Sequence, residues 1–404
     1  MDNSNSLKER LGLAHFKGFD FLLACLWSMG ILLYYARTFV SRSPLYFLAP
    51  EFMTICIVSG IFVSLPYFKK TLQVTDIIVY LLIVAYYYLN MLMFPANKAV
   101  LSELSFLCLI HSVPLFLIGL SLNVEKSYNY LRFISGLSVI VLAVVLFLMG
   151  GTSEYELEGD EGEGMGKAYA LLPCLLFMVW DTLRKLRIIN VAISLLGVFL
   201  LFSLGTRGPI VCLLAFIVLY LLLFKEYKHP IRNRLLILGV GGILYSFLTP
   251  ILLAVQGVLM SVGASTRIIS TLLADTFDDS HGRDDINSFM WNEIMKDPWT
   301  GHGLAGDRVT SHWASWSHNF VLEIFMAFGL VLGGIILCVL LWMFIKIVIK
   351  GIHSIHTQFT VLLFCSSVMM LMFSSSFMQE PMIYLFVGYM VNILRTNSTV
   401  NRNL

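Results

Sequence analysis

The chain reads as an all-α polytopic membrane protein, a single integral membrane domain over residues 1–404. Three observations predict this. The composition is 58% hydrophobic and only 13% charged, whereas soluble globular chains carry about a quarter charged residues. Apolar runs that reach the roughly 20 residues a helix needs to cross a bilayer follow one another along most of the sequence. One long polar interval, residues 260–318, interrupts them. A loop of that length adds nothing to the stability of a membrane bundle, and such loops more often carry function.

Windows of about 20 residues predict spans near 19–37, 46–66, 74–94, 101–122, 131–149, 168–183, 188–205, 209–224, 235–259, 319–345, 357–376 and 380–395, about twelve in all. With both termini cytoplasmic, 18 of the 27 Lys and Arg fall on the inner side and 9 on the outer, the bias that orients membrane proteins. The interval 260–318 then faces outward. No small-residue cleavage site follows the first span, which is expected to stay uncleaved. The seven cysteines all lie in apolar spans without a CxxC pair, so no disulfide framework or thiolate metal site is implied.

Taken in order, the first five spans carry few polar groups. Glu51, Asp76, Glu103 and His111 fall within or near span ends and are expected to cap or start helices at the interface; Asp76, after Thr75, reads as a helix start. Residues 154–163 bring six carboxylates between spans five and six, a pattern of a solvated loop. Spans seven and eight are joined by Ser203-Leu204-Gly205-Thr206-Arg207-Gly208-Pro209. Pro209 suits a first helical turn, where its missing N–H costs nothing. Arg207 is therefore expected at the outer surface beside a helix N-terminus, where unpaired N–H groups and the helix dipole favour an anion.

Within the polar interval, Ser265-Thr266-Arg267 opens a short helical run. Arg283-Asp284-Asp285 opens a second helix, whose Ile286, Phe289, Met290 and Ile294 share one face and which Pro298 ends. A turn-rich piece through Gly306 follows. Trp313 and Trp316 suit the membrane interface, which puts His318 at headgroup depth where span ten begins.

Arginines and a histidine gathered at that depth suit a reaction on a lipid diphosphate. Guanidinium groups accept the negative charge of a departing diphosphate through paired hydrogen bonds. A neutral histidine, with an ordinary pKa of about 6.5, can take the proton of an attacking sugar hydroxyl. His302, His312 and His318 have no spacing of a zinc site, and His302 and His312 taken alone read first as structural.

The pieces Gly205-Thr206-Arg207-Gly208-Pro209, then Gly282-Arg283 with Trp291 and Asp297-Pro298-Trp299-Thr300-Gly301-His302-Gly303, then His318-Asn319 with Leu322-Glu323 and Gly329, resemble the O-antigen ligase and O-antigen polymerase superfamily of bacterial membrane glycosyltransferases. The resemblance covers roughly residues 205–334. It implies a GT-C-like fold with a mainly helical extracytoplasmic region over the bundle. It also implies an undecaprenyl-diphosphate-linked glycan as donor, a glycan or lipid-glycan acceptor, and inverting transfer without a metal or cofactor. Membrane lipids, and no nucleic acid, are the other partners implied. On this chain Arg207 and Arg283 would hold the diphosphate and His318 would act as base. Arg267, His302 and Asn319 are further substrate-contact candidates, Arg267 rivalling Arg283. The setting implied is the bacterial inner membrane, with the site facing the periplasm or exterior.

The acidic loop and residues 166–173 leading into span six resemble polymerase sequences more than ligase ones, which implies a polymerase. The alternative is a transporter or flippase of lipid-linked glycans. Transporters commonly show internal repeats and charged or broken helices near the midplane, whereas this chain shows no repeat and puts its charges at one surface.

Overall fold

A computed structural model describes residues 18–48, 51–148, 161–204, 206–224, 248–261, 269–270, 283–311, 317–351 and 354–400. Among the described residues the structure is helical, with no strand. In chain order the main helices are α1 (Gly18–Trp27), α2 (Tyr34–Ser41), α3 (Phe52–Thr71), α4 (Val74–Met93), α5 (Lys98–Phe106), α6 (Pro114–Ser121), α7 (Val124–Leu148), α8 (Glu161–Arg184), α9 (Ile188–Ser203), α10 (Arg207–Leu223), α11 (Leu248–Ser261), α12 (Arg283–Lys296), α13 (Gly306–Thr310), α14 (Phe320–Lys350), α15 (Ile355–Ser366), α16 (Val368–Leu371) and α17 (Pro381–Val400).

Among the described residues, six helical stretches are long and apolar enough to cross a membrane, seven if the pair Gly18–Trp27 and Met29–Ser41, bent by 75°, counts as one span. The stretches Ile188–Ser203, Arg207–Leu223 and Ile355–Leu371 are apolar but shorter. Of the predicted ninth span, 235–259, the part before Leu248 lies outside the described residues, as do residues 154–160 of the acidic loop, Arg267, His312, Trp313 and Trp316.

The chain divides into two compact units. The first comprises Met1–Tyr67 and Val124–Asp278. Its centre is aromatic, with Trp27, Phe177 and Trp180 fully buried and packed edge to face. Polar side chains inside this apolar packing find one another, since lipid offers them no partner. Trp27 Nε1 donates to Ser135 Oγ at 3.0 Å, and buried Asp181 accepts from both Tyr128 Oη and Asn190 Nδ2.

The second unit comprises Phe68–Asn123 and Asp279–Leu404. Here α6 and α17 meet backbone to backbone. A Cβ on Gly119 would lie 2.4 Å from the Leu385 carbonyl oxygen, and one on Gly388 2.2 Å from that of Phe116, so only glycine permits the approach at either position. Asn392 Nδ2 completes the joint by donating to the Leu122 carbonyl at 2.9 Å. Asp76 behaves as the sequence suggests: its carboxylate accepts from Gln73 N at 2.9 Å and closes a capping box at the start of α4. The other oxygen pairs with Arg395 Nη1 at 2.5 Å.

Candidate active site

In the second unit the site is built from α12, the turns between it and α14, and the first turns of α14. The predicted apolar face of α12 is the one that packs. Met290 and Ile294 are buried with Met326 of α14, and Ile286, Phe289, Leu322 and Phe325 surround them.

α14 is broken at Gly329, whose φ of 72° and ψ of 172° are non-helical. A regular helix would join the Leu330 N–H to the Met326 carbonyl, four residues back. The break frees both groups, and the turn after α12 takes them up. Leu330 N donates to the Pro298 carbonyl and His302 N donates to the Met326 carbonyl, each at 2.7 Å. Both of these groups are thus paired again, as an apolar setting requires. Gly301, with φ 68°, fits against it: a Cβ there would lie 2.5 Å from Gly329 N.

The same turn is pinned from the other side. Asn97 Nδ2 donates to the carbonyls of His302 at 2.7 Å and Leu304 at 2.9 Å. Leu304 N donates to Asn90 Oδ1 at 2.9 Å. The imidazole of His302 is itself engaged, with Nε2 3.0 Å from the Glu293 carbonyl near the end of α12.

Asp307 and Glu323 hold the approach to α14. The buried Asp307 carboxylate accepts from Ser317 N at 3.1 Å, fixing the residue just before His318. Burial pushes its carboxyl above the ordinary range, opposed by Arg308 and by that hydrogen bond. Glu323, also buried, accepts from Ser376 Oγ and, at 3.1 Å, from Phe377 N.

His318 is half-buried and has a φ of 53°. That left-handed conformation is uncommon for a residue with a side chain, and such strain gathers at functional sites. Asn319 follows as the N-cap of α14, its Oδ1 accepting from Val321 N at 3.1 Å and Leu322 N at 3.3 Å. Its Nδ2 faces Asn287 Oδ1 of α12 at 3.5 Å. Between these two helices lies an open groove of about 690 Å³.

The second unit therefore brings together His302, His318 and Asn319 on one short stretch of structure. Arg283 is the first residue of α12, as predicted, and its side chain lies outside what is described. Arg207 belongs to the first unit. It is the first residue of α10, half-buried, followed by buried Gly208 and Pro209 in the first turn. The N-cap, Thr206, makes no side-chain capping bond, and its buried hydroxyl has no partner among the described residues. That leaves the first-turn N–H groups of α10 without a side-chain cap, beside a guanidinium. Among the described residues no group of His, Cys, Asp and Glu is placed to hold a metal.

Sequence reasoning missed Asn90, Asn97 and Asp307, which do not touch the groove but fix the turns that carry His302 and His318. It also missed the groove itself, whose α12 wall is readable as polar residues at helical spacing.

Residues 192–337, about a third of the chain, match the family model Wzy_C, described as O-antigen ligase. The match takes in Arg207, the whole interval 260–318 and α14 past the break at Gly329. Neither a curated protein nor a solved structure matches the chain.

Proposed function

We propose, from the match of residues 192–337 to the O-antigen ligase family model, that the chain is a metal-independent inverting glycosyltransferase of membrane glycan assembly. The donor is an undecaprenyl-diphosphate-linked oligosaccharide or polysaccharide. The acceptor is a glycan on the outer side of the cytoplasmic membrane, and chain extension by a polymerase is favoured over capping of an acceptor lipid. Both termini are cytoplasmic. The observation that carries the reading is His318, held in a left-handed conformation one residue before the cap of α14 and inside the matched segment.

In this reading the imidazole of His318 takes the proton from an acceptor hydroxyl as its oxygen attacks the anomeric carbon from the face opposite the diphosphate. The carbon–oxygen bond to phosphate breaks and the electron pair leaves with the lipid diphosphate. The resemblance assigns that charge to Arg207, with Arg283 or its rival Arg267 as the second guanidinium.

The test uses protein purified into lipid with a lipid-diphosphate glycan donor and added chelator, following free lipid diphosphate and extended or transferred glycan. His318→Ala is expected to lower turnover by about 10²- to 10⁴-fold, the usual worth of a general base, with donor binding retained. His318→Gln, which cannot accept the proton at neutral pH, is expected to fail as well. A wild-type protein that moves donor across the bilayer and forms neither product overturns the transferase and leaves a flippase.

A further inference from the structure

The groove between α12 and α14 has a chemistry that the roles of His318 and the arginines do not use. On α12, Asn287, Ser288, Trp291 and Asn292 recur at positions i, i+1, i+4 and i+5, a stripe beside the buried seam of Met290 and Ile294. Asn319 and Met372 contribute from outside α12. None of the residues lining the groove is charged.

That lining discriminates between ligand groups. A phosphate calls for cations or clustered backbone N–H groups, and the groove has no cation. Carboxamides offer a donor and an acceptor side by side, the pattern that neighbouring sugar hydroxyls match. The Trp291 side of the groove is open, the residue being 46% exposed; an indole face covers the C–H face of a sugar ring while its N–H stays at the polar edge. The long Asn319–Asn287 contact leaves the second Nδ2 hydrogen of Asn319 for a ligand. The volume of about 690 Å³ lies within the ordinary range of small-molecule sites, about 300–1,000 Å³.

We propose that this groove is a glycan subsite: it takes a neutral, hydroxyl-rich segment of the sugar chain, stacked on Trp291 and hydrogen-bonded by Asn287, Asn292 and Asn319. The proposal rests on the transferase reading for its place in a reaction, since a sugar seated there lies beside the residue that follows His318. It assigns the groove to the sugars and not to the diphosphate.

The experiment uses the full chain in lipid nanodiscs and two probes. One is the glycan released by mild acid from the source cells' lipid-linked donor and fluorescently labelled at its reducing end. The other is geranylgeranyl diphosphate, which has the lipid diphosphate and no sugar. Trp291→Ala and Asn292→Ala are each expected to weaken glycan binding about tenfold, the worth of roughly one well-placed contact, and to leave geranylgeranyl diphosphate binding unchanged. Ser288→Trp, an exposed change that fills the groove without touching the buried seam, is expected to abolish glycan binding. Glycan binding that is absent in the wild type, or equal in wild type and Ser288→Trp, overturns the subsite, while turnover of the intact donor would still uphold the transferase. Glycan binding that depends on Trp291 and Asn292 in a protein that never cleaves the donor upholds the subsite and overturns the transferase.

Discussion

Replacing Gly329 by alanine tests the construction of the site at its least replaceable backbone position. With φ 72° and ψ 172°, Gly329 occupies a region essentially closed to other residues, at a cost of about 1–3 kcal/mol for any that is forced there. A Cβ would also lie 2.5 Å from the Trp299 carbonyl oxygen and 2.9 Å from that of Pro298, so the turn must withdraw. With α14 still broken, withdrawal also loses two backbone bonds, Leu330 N to Pro298 and His302 N to Met326, a further cost of about 1 kcal/mol at the low end of the usual worth of each bond. The sum is a destabilisation of about 2–4 kcal/mol, which at about 2–4 °C per kcal/mol for a unit of this size lowers the melting temperature by roughly 4–16 °C. Thermal unfolding in detergent, read by intrinsic fluorescence, measures it. Gly334→Ala is the control: nothing lies within 4 Å of a Cβ there, and the melting temperature should hold. A Gly329→Ala protein that melts with the wild type refutes the reasoning.

Arg207→Lys is expected to lose nearly as much transfer activity as Arg207→Ala, because lysine keeps the charge without the planar fork that grips two phosphate oxygens; wild-type activity in the lysine variant would reduce Arg207 to a point charge. Asn97→Ala strips the donor from one buried and one part-buried carbonyl and should destabilise by about 2–3 kcal/mol, seen as a lower melting temperature with Arg207 and His318 intact. An unchanged melting curve would mean that water replaces the amide. Reporter fusions at Lys228 and Lys296 should read opposite sides of the membrane; the same side for both would reverse the topology on which an outward site depends. His318→Ala and His318→Gln complete the set.

The helical class, the order of apolar segments and the two-faced α12 are legible in the sequence because each rests on local periodicity. The start of α12 at Arg283 and the capped start of α14 at Asn319 follow from Asp284, Asp285 and the Ser317-His318-Asn319 run in the same way. The break in α14 is not legible: Gly329, Gly333 and Gly334 stand in one apolar run, and only the arrival of the Pro298–His302 turn decides which of them leaves the helix. Nor is the Asn97 clamp, whose partners lie 205 and 207 residues away. Three histidines of similar look in the sequence part company in the structure. The His302 ring reaches the Glu293 carbonyl, His318 takes a left-handed backbone, and His312 lies outside the described residues.

The glycine contact between α6 and α17 has a consequence for biosynthesis. Asn392 and the Gly119 carbonyl it reaches are 273 residues apart, so at about 5–20 residues per second the ribosome needs roughly 14–55 s to deliver Asn392 after Gly119. For that interval α6 sits in the bilayer with its Gly119 notch filled by lipid or by a temporary neighbour. The second unit closes only when the last helix arrives, and a chain truncated before Pro381 leaves the notch without its mate.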